Sequence, residues 1–474
     1  MARRTANAGH VASGVSRGKR MTRNGPGGTR PPTLTADETV DLYLKEFTSL
    51  KAGEFSGDPR PFLHLRQAAM DRFSELGFPT PAMESWRHTD ISSLSRTPYR
   101  PLTPGKRRID RRRLDPYVIA DVYRAVVVNG RFDSSLSLLP PEGVEIGSLR
   151  DAMGRNLVRL PSYLGGVADI HNHPFVALNT AFMTDGLFIH VPQNTVVDRP
   201  IHAVIFTDPP GHGRMSHVRH LIRVEANSEA TVVEHYLGGS SRDYWMNCVT
   251  ENVVEENATL RHIRVVEDSP EAYHVATAHT LQFAQSTLEG WSVVVGGKLV
   301  RNDTVSRLDA EGCGCTLKGL VLARGRQHVD NHTFVSHEKP HGTSHQLYKG
   351  IYGGRSHGVF NGRIFVRQDA QKTNADQTNR NLLISRDALV NSNPQLEINA
   401  DDVRCTHGST TGQLDEEVLF YLHSRGLDDV SARTLLAAGF AGEVTGGIPH
   451  EPLRDYLSRL LSDWLSGISW EEAE

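Results

Sequence analysis

The chain has 474 residues, of which 38% are hydrophobic and 42 are glycine, and its formal net charge is −3. That length exceeds what one compact core serves, and the near-neutral charge gives no general electrostatic reason to bind nucleic acid or an anionic membrane. The four cysteines are too few for a disulfide scaffold, which fits a reducing compartment, and no apolar run reaches the roughly 20 residues of a membrane span.

Residues 1–34 form a basic segment with seven Lys or Arg side chains and no acidic one. An organellar transit peptide is rich in Arg and poor in acids but also rich in Ser, and here only Ser13 and Ser16 are present. We therefore interpret the segment as a disordered tail, or as sequence upstream of a true start at Met21. A cytoplasmic protein is expected; a transit peptide would place it in a plastid instead.

Two amphipathic helices are predicted after the tail. Thr35 begins the first in a Thr-Ala-Asp-Glu capping box, in which the hydroxyl accepts from the Glu38 amide and the Glu38 side chain reaches back. A second apolar run at helical spacing, residues 62–76, ends at Gly77. Residues 35–150 are therefore predicted to be an N-terminal helical and mixed region.

Strands dominate the prediction from Tyr123 to about Thr411. The first is a β-branched run, residues 125–128, which the turn signal Asn129-Gly130 ends. We expect a mainly β core over residues 151–411.

A weak internal repeat lies inside this region. A threonine that follows a small residue and begins a short apolar run recurs at intervals of 28, 28 and 29 residues: Thr231, Thr259, Thr287 and Thr316. A fixed period of this length built from strands alone predicts coils stacked along an axis, each covering the apolar face of its neighbour. We therefore predict a β-helix, since a sandwich rarely keeps so even a period.

The C-terminal region, residues 412–474, is predicted to be helical. One helix over residues 415–425 ends at Gly426, and a second covers residues 431–440. From Leu453 to Leu465 apolar residues follow the spacing i, i+3, i+4, i+7, i+8, i+11, i+12. Such a stripe must be buried, and we expect it to pack on its own domain and not on another protein.

Enzyme signatures are missing from the sequence. There is no Gly-x-x-x-x-Gly-Lys-Ser/Thr loop, no Gly-x-Ser-x-Gly and no His-Glu-x-x-His. We predict that the chain is not an enzyme and that any nucleotide chemistry comes from a partner.

Two other clusters of candidate ligands have simpler interpretations. Five histidines follow one another at spacings of 4, 5, 4 and 4: His328, His332, His337, His341 and His345. Their Pro, Gly and β-branched neighbours favour strand and turn, which would scatter the rings, so we favour ordinary polar roles over a metal site. Cys313 and Cys315 have no nearby Cys or His to complete a tetrahedral set, and a buried structural role is expected.

Cys405 and His407 are the strongest candidates for chemistry. Residues two apart in a strand point the same way, so thiol and imidazole would share one face. A neighbouring imidazolium lowers the pKa of a thiol and favours the thiolate, which binds soft metals or accepts sulfur. Two ligands cannot close a four-coordinate site, so the others would come from elsewhere, a second chain being one source; a purely structural role stays open.

The stretch NPQLEINADDVRCTHGSTTGQLDEEVLFYLHSRG, residues 393–426, resembles the SufD subunits of SUF iron–sulfur cluster assembly systems. Three further segments are similar to that family: PAMESWRHTDISSL (81–94), FVALNTAFMTDGLFIHVP (175–192) and VFNGRIFVRQDAQKTNADQTNRNLLIS (359–385). The sister SufB subunits typically have Glu-His-Glu-Ala near the position where this chain has Thr406-His407-Gly408-Ser409. They also lack the Tyr-Leu-x-Ser-Arg-Gly motif that this chain has at residues 421–426. The resemblance covers roughly residues 35–445.

The resemblance implies a right-handed parallel β-helix with helical regions at both ends, which agrees with the repeat. It also implies a non-catalytic scaffold that pairs with a SufB-like subunit through the β-helix and binds a SufC-like ATPase through the C-terminal helices. His407 matches the functionally important histidine at the interface between subunits, while Cys405 sits at a less certain position. For the ATPase, the docking residues we infer are Phe420, Tyr421, Arg425 and Gly426.

The same resemblance implies that no cofactor is bound stably by the chain alone. Iron or a nascent cluster would be held transiently at the partner interface, tentatively by His407 and Cys405 together with the partner, and a flavin is allowed in the complex. A homodimer is allowed in isolation. Two alternatives are kept: a SufB-like paralogue that itself carries the nascent cluster, and a β-helix enzyme acting on carbohydrate or acyl groups, which would need carboxylates or a histidine on successive coils.

Overall fold

The computed structural model describes residues 34–102, 109–140, 143–155, 163–240, 242–468 and 470. Apart from Leu34, the predicted basic tail therefore lies outside the described residues. The N-terminal helices are α1 (Ala36–Ala52), α2 (Arg60–Leu76), α3 (Ser92–Ser95), α4 (Leu149–Gly154) and α5 (Pro174–Phe182), with short 3₁₀ helices at Glu84–Trp86 and Arg111–Tyr117. The C-terminal helices are α6 (Glu416–Ser424), α7 (Asp429–Thr445) and α8 (Glu451–Ser466).

Two ten-stranded sheets form the centre of the molecule. Sheet A contains β1 (Arg100–Pro101), β4 (Glu145–Ser148), β5 (Leu187–Val191), β7 (Arg214–Val224), β9 (Tyr244–Val254), β11 (Tyr273–Gln282), β13 (Leu299–Leu308), β15 (His328–His337), β17 (His357–Val366) and β19 (Leu389–Ile398). Sheet B contains β2 (Tyr123–Val128), β3 (Arg131–Phe132), β6 (Ile201–Thr207), β8 (Glu229–Gly238), β10 (Thr259–Glu267), β12 (Thr287–Val294), β14 (Gly314–Ala323), β16 (Thr343–Tyr352), β18 (Asn374–Leu383) and β20 (Arg404–Gly412).

Successive strands from β5 to β20 alternate between the two sheets, and within each sheet they pair in parallel. Each pair of strands is therefore one coil, and the coils stack into the predicted parallel β-helix with helices at both ends. Side chains that alternate inward fill the lumen with apolar groups such as Val232, Leu260, Leu317 and Phe360. The prediction of a mainly β fold is confirmed.

The threonine repeat correctly predicted the β-helix, but it predicted the wrong register for two of the three strand pairings that it covers. Only Thr259 and Thr287 lie directly opposite each other. Thr231 lies opposite Arg261, two residues out of step, and the fourth threonine is displaced by the same amount. The reason is that coils of sheet B differ in length, from 27 residues between Thr287 and its partner to 31 in a later coil.

The local signals at the N-terminal end are confirmed. Thr35 Oγ1 accepts from the Glu38 amide at 3.3 Å and a Glu38 carboxylate oxygen accepts from the Thr35 amide at 2.8 Å, which completes the capping box. Gly77 ends α2 with a φ of +64°, in the left-handed region that favours glycine. Strands β2 and β3 form the expected hairpin around Asn129 and Gly130.

The N-terminal helices cover the outer face of sheet A. Tyr43, Phe78 and Phe175 pack around Trp245, whose side chain leaves β9 on that face and is fully buried. These rings are large and rigid, and burying them stabilises the contact between the helices and the sheet.

The segment 81–94, one of the four that carry the family resemblance, attaches to this face through charged groups. The Arg301 guanidinium lies over the Trp86 ring at 4.3 Å from its centroid and donates to the Asp330 carboxylate at 2.5 Å. Thr89 Oγ1 donates to the same carboxylate, also at 2.5 Å. Trp86 and Thr89 therefore hold the N-terminal region on the solenoid, and Glu84 and Arg87 of the same segment are exposed.

A fully buried ion pair joins the same two layers. Arg219 Nη2 and the Glu251 carboxylate are 2.8 Å apart with both side chains at 0% exposure. The carboxylate also accepts from the amides of Gly165, Val167 and Ala168 at 2.8 to 3.2 Å. The Glu251 carboxylate therefore neutralises the charge of the buried guanidinium and also accepts the hydrogen bonds of three backbone amides in a loop of the N-terminal region.

Replacing Glu251 with Gln is expected to destabilise the fold by about 3–5 kcal/mol, because it leaves the Arg219 charge buried without a counter-ion. Urea unfolding followed by circular dichroism measures the change. The matched control is Glu289→Gln, whose partner Arg261 and own side chain are 24% and 34% exposed, and which should cost less than about 1 kcal/mol. Equal effects of the two substitutions would contradict the prediction.

The C-terminal helices lie on the outer face of sheet B. Leu457, Leu461 and Trp464 of α8 pack against outward side chains of the sheet such as Ile263 and Leu320. The Tyr456 hydroxyl donates to the Glu267 carboxylate at 2.6 Å beside this contact. The prediction that the apolar stripe packs on its own domain is confirmed, and α7 is longer at both ends than predicted.

Candidate functional site

Strands β19 and β20 form the last coil of the solenoid. Each is the terminal strand of its sheet, so among the described residues one edge of each strand is unpaired. Strand β20 is largely exposed and β19 is partly exposed, including the apolar side chains of Leu389 and Ile398 at 53% and 40%. An unpaired, exposed strand edge is a template for pairing with another chain.

His407 lies on β20 at this open end. Its neighbour in the ladder is Gln377 on β18, which is 1% exposed and faces the lumen. His407 continues that inward face, but no further coil covers it, and its side chain is exposed. Within the part of the chain that the structure describes, the imidazole makes no hydrogen bond or ion pair, so both ring nitrogens are available to a ligand.

Cys405 lies two residues before His407 on the same strand, and its ladder neighbour is Ala375. The thiol is half-buried and packs against an apolar cluster that includes Ile364 and Ala375. This burial raises the pKa of the Cys405 thiol above its usual value, although a hydrogen bond with the Ala375 backbone acts the other way. The predicted lowering of the thiol pKa by His407 is therefore wrong: desolvation by the last full coil dominates.

Polar side chains line the lumen beneath His407, and sequence inspection did not identify them. Ser409 Oγ is 2.8 Å from Ser392 Oγ, and Ser392 Oγ donates to Asn379 Oδ1 at 2.7 Å. Gln377 lies next to this group under His407. The apolar lumen thus ends in a polar mouth, which we define by His407, Ser409, Ser392, Asn379 and Gln377.

No group of three or more His, Cys, Asp or Glu side chains that could hold a metal ion is found among the described residues. Cys405 and His407 are two potential ligands without a third. A complete coordination sphere at the polar mouth would therefore need groups from another molecule, water included.

The predicted histidine cluster is dispersed. His332 is 3.0 Å from Asp330, His337 bonds to Ser344 inside the lumen, and His341 occupies a turn with a φ of +59°. His328 on sheet A contacts Thr89 of the N-terminal region, and His345 on sheet B contacts Asp376. The prediction of ordinary polar roles is confirmed for these side chains.

Cys313 and Cys315 are both buried, as predicted. Burial raises the pKa of Cys315 to about 12 and that of Cys313 above its usual value. Both thiols therefore stay protonated and belong to the packing of the lumen.

The residues predicted for ATPase docking lie on the outer helix α6, which holds Phe420 and Tyr421, and at its C-terminal end, where Arg425 and Gly426 follow. Phe420 and Tyr421 are 76% and 58% exposed, while the neighbouring Leu419 is buried. The Arg425 guanidinium lies 6.0 Å from the centroid of the Tyr421 ring, and Gly426 ends the helix with a φ of +93°. Val418, Val430 and Leu435 extend the exposed apolar area, and we call these three with Phe420 and Tyr421 the outer helix patch.

A groove of about 560 Å³ crosses the outer face of sheet A beside Trp86. It contains Asp303 and His332 on successive coils, with Asp330 close by, a pattern that the sequence did not show. Burial opposes the ionisation of both carboxylates, but Arg301 and its hydrogen bonds outweigh it and hold their pKa values below the usual range. Neither aspartate can then carry a proton as a general acid near neutral pH.

No helix among the described residues has both the length and the apolar content that crossing a bilayer requires.

Two family models match the chain. The model described as "SUF system FeS cluster assembly, SufBD core domain" matches residues 206–440, and the model of the "SufBD protein N-terminal region" matches residues 37–203. Together they span the N-terminal helices, the solenoid and the first two C-terminal helices.

Several curated proteins are similar over most of their length. An iron–sulfur cluster assembly SufBD family protein of Synechocystis is 35% identical over 84% of this chain and 90% of its own. The iron–sulfur cluster assembly protein SufD of Escherichia coli is 28% identical over 85% of this chain and 92% of its own. A chloroplastic protein of Arabidopsis thaliana is 30% identical over 83% and 84%.

Proposed function

The chain belongs to the SufBD family of SUF-system iron–sulfur cluster assembly proteins, with SufD proteins among its relatives, and from that membership we propose that it is a non-catalytic scaffold subunit. It pairs with a SufB-like subunit through the open end of the solenoid and recruits a SufC-like ATPase through the outer helices. Iron, the cargo of the assembly, contacts this subunit transiently at His407.

The observation that carries this proposal is the position of His407 on an uncovered terminal strand. The imidazole is exposed and without a protein partner in the described chain, while the strand that holds it has a free edge. A partner that pairs with β19 and β20 would bring its own side chains next to His407. The side chains of the partner would then complete the metal coordination that Cys405 and His407 cannot provide alone. Cys405 is the less favoured metal ligand of the two because its thiol is half-buried and protonated.

The outer helix patch supports the second contact. It exposes two aromatic rings and three aliphatic side chains on two consecutive helices, and aromatic residues dominate the energetics of protein interfaces. Helix α7 also packs on sheet B through Ala437, Ala441 and Val444. A displacement of the outer helix patch by the ATPase would therefore be transmitted to the solenoid through α7. ATP binding in the partner can open the polar mouth only if the open arrangement binds ATP more tightly than the closed one.

Replacing Phe420 with Asp is expected to weaken binding of the ATPase by about 2 kcal/mol or more, or about 30-fold, because a charge replaces an exposed aromatic anchor. Biolayer interferometry with the immobilised full chain measures the affinity. The matched control is Glu417→Ala on the same helix outside the patch, which should leave the affinity within about twofold. If the Phe420→Asp variant bound the ATPase with unchanged affinity, the ATPase would have to dock on a surface other than the outer helix patch.

The whole proposal is tested by co-expressing the chain with candidate SufB-like and SufC-like subunits, purifying through a tag on this chain, and measuring iron and acid-labile sulfide after ATP-dependent assembly. Recovery of the three chains with cluster formation supports the scaffold role. Recovery of this chain alone, or as a homodimer that assembles clusters by itself, would favour the alternative of a SufB-like paralogue.

The finer features of the proposal follow the same membership. We expect no stably bound cofactor in the isolated chain, and a flavin, if present, only in the complex. A cytoplasmic location is proposed, and a plastid location is the alternative, since one relative is chloroplastic. A carbohydrate-active enzyme is disfavoured because Arg301 holds Asp303 of the groove and the neighbouring Asp330 ionised in ion pairs, so neither can act as the general acid.

A further inference from the structure

Lys349 is a buried cation between sheet B and helix α7. It lies on the outer face of β16 between Leu347 and Ile351, and its side chain is 3% exposed. Its Nζ donates to the Phe440 carbonyl of α7 at 3.1 Å and to the Glu443 carboxylate, and it lies 4.2 Å from the centroid of the Phe440 ring. One side chain of the solenoid therefore makes three contacts with two residues of the same helix.

The rest of this half of α7 consists of small side chains. Residues 437–444 include three alanines, two glycines and one valine, and the larger ones are Phe440 and Glu443. The alanine and valine side chains pack on the apolar outer face of sheet B. Small side chains interlock little and apolar contacts have no preferred direction, so these contacts alone fix the position of α7 along the sheet only weakly. Both larger side chains contact Lys349.

Glu443 connects the helix to the end of the solenoid. In sheet B, Lys349 lies opposite Arg380 on β18, and Arg380 lies opposite Thr410 on β20, the terminal strand that holds His407. The hydrogen bond from Lys349 lowers the pKa of Glu443, so this carboxylate is ionised near neutral pH. It also lies 3.7 Å from Arg380 Nη1 and therefore bridges two successive coils.

Stability does not explain why position 349 holds a cation. The preceding residues of the same row in sheet B are Val293 and Leu320, and Leu320 lies directly opposite Lys349. Replacing a buried ion pair with apolar side chains of similar volume is often neutral or stabilising, because the charges no longer have to leave water. An apolar side chain would thus serve the packing equally well. What the ion pair adds is a strong contact with a fixed direction.

We propose that Lys349 and Glu443 are positioning residues that fix α7 on the last coils of sheet B, so that a displacement of the outer helix patch moves β18 and β20. This rests on the proposed function and assigns to two residues the transmission between the ATPase and the open end. Val430 and Leu435 of the patch belong to the same helix as Glu443. Rigid helices and networks of ion pairs carry energetic coupling between distant sites, and here the helix passes its displacement to the coils through the ion pair.

The test uses the complex of the full chain with the SufB-like and SufC-like subunits, in which ATP hydrolysis and cluster formation are measured in one sample. Lys349→Met keeps the apolar stem of the side chain and should lower the number of clusters formed per ATP hydrolysed by about 10-fold, the scale on which residues of a coupling network act. The outer helix patch is unaltered, so the rate of ATP hydrolysis and the recovery of the complex should stay within about twofold.

The matched control is Lys298→Met. Lys298 pairs with Glu271 and lies over the Tyr273 ring, so it has the same kinds of contact on sheet A, and none of these contacts involves α7. Its replacement should change neither the ATP hydrolysis nor the number of clusters per ATP.

Two further variants separate positioning from stability. Glu443→Gln leaves the Lys349 charge buried without its counter-ion, so it should lower the midpoint of thermal unfolding as well as the number of clusters per ATP. Combining Lys349→Met with Glu443→Gln removes both charges and should return the midpoint to within about 3 °C of the unmodified chain, while the number of clusters per ATP stays low. A residue pair that only stabilises the fold would recover both quantities together.

A normal number of clusters per ATP in the folded Lys349→Met complex, or its recovery in the double variant, would overturn this inference and leave the scaffold function standing. Loss of the ATPase from the Lys349→Met complex would also overturn it, because the pair would then belong to docking and not to transmission. If the complex of the unmodified chain forms no clusters, the proposed function fails and this inference fails with it. The two failures are distinguishable because only the failure of the proposed function appears with the unmodified chain.

Discussion

Replacing His407 with Ala is expected to abolish ATP-dependent cluster assembly by the complex while the fold and the association of the subunits stay intact. The side chain is exposed on a terminal strand and has no hydrogen-bond partner within the described chain, so its removal should change the free energy of unfolding by less than about 0.5 kcal/mol. The imidazole is, however, the one unoccupied strong metal ligand of the polar mouth. Its loss removes the donor without disturbing the scaffold.

The measurement is iron and acid-labile sulfide per complex, together with the absorption of the cluster, after assembly with the partner subunits. His345→Ala is the matched control: His345 is also an exposed strand histidine and lies on β16 of the same sheet. Cys405→Ala should have a smaller effect than His407→Ala, because its thiol is half-buried and protonated. Normal cluster yield with His407→Ala would remove this residue from the proposed site.

The second large effect is a loss of stability in mild acid. Three histidines that are almost completely buried are held neutral by desolvation, which lowers their pKa values to about 3 for His217, about 4 for His220 and about 4 for His337. In the unfolded chain a histidine titrates near 6.5. The folded state therefore cannot take up the protons that the unfolded state binds.

The sign follows from these differences. Above about pH 6.5 both states are neutral at these positions and stability does not depend on them; below that pH each histidine destabilises the fold by about 1.4 kcal/mol per pH unit. At pH 5 the three together cost about 6 kcal/mol, which is comparable with the total stability of many domains. The loss continues until the pH reaches the folded-state pKa values, near 3 to 4.

Urea unfolding at pH 7.5, 6.5, 5.5 and 5 would reveal this dependence. His337→Gln, whose amide can keep the bond to Ser344, should reduce the slope by the contribution of one proton. Replacement of His64, an exposed histidine on α2, serves as the control for the substitution itself. A free energy of unfolding that is flat between pH 7.5 and pH 5 would contradict the prediction.

The candidate site was only partly predictable. Cys405 and His407 stand out because their residue types and spacing are visible in the sequence, and the resemblance singles out His407. Ser392, Ser409 and Gln377 are unremarkable polar residues until the register places them at one end of the lumen. The thiol pKa was predicted in the wrong direction because the strand pattern does not reveal that Ala375 and its neighbours desolvate Cys405.

By itself the sequence determined the features that depend on residues within one or two turns of each other. These are the capping box at Thr35, the end of α2 at Gly77, the hairpin at Asn129-Gly130 and the apolar stripe of α8, together with the stacked-coil architecture that a period near 28 indicates. Only the tertiary structure decided the register, since neighbouring strands of sheet B are joined by residues 27 to 31 positions apart and this distance varies from coil to coil. A shift of one residue exchanges the inner and outer faces of a strand, so the lumen, its polar mouth and the open edge beside His407 depend on long-range contacts that no local pattern specifies.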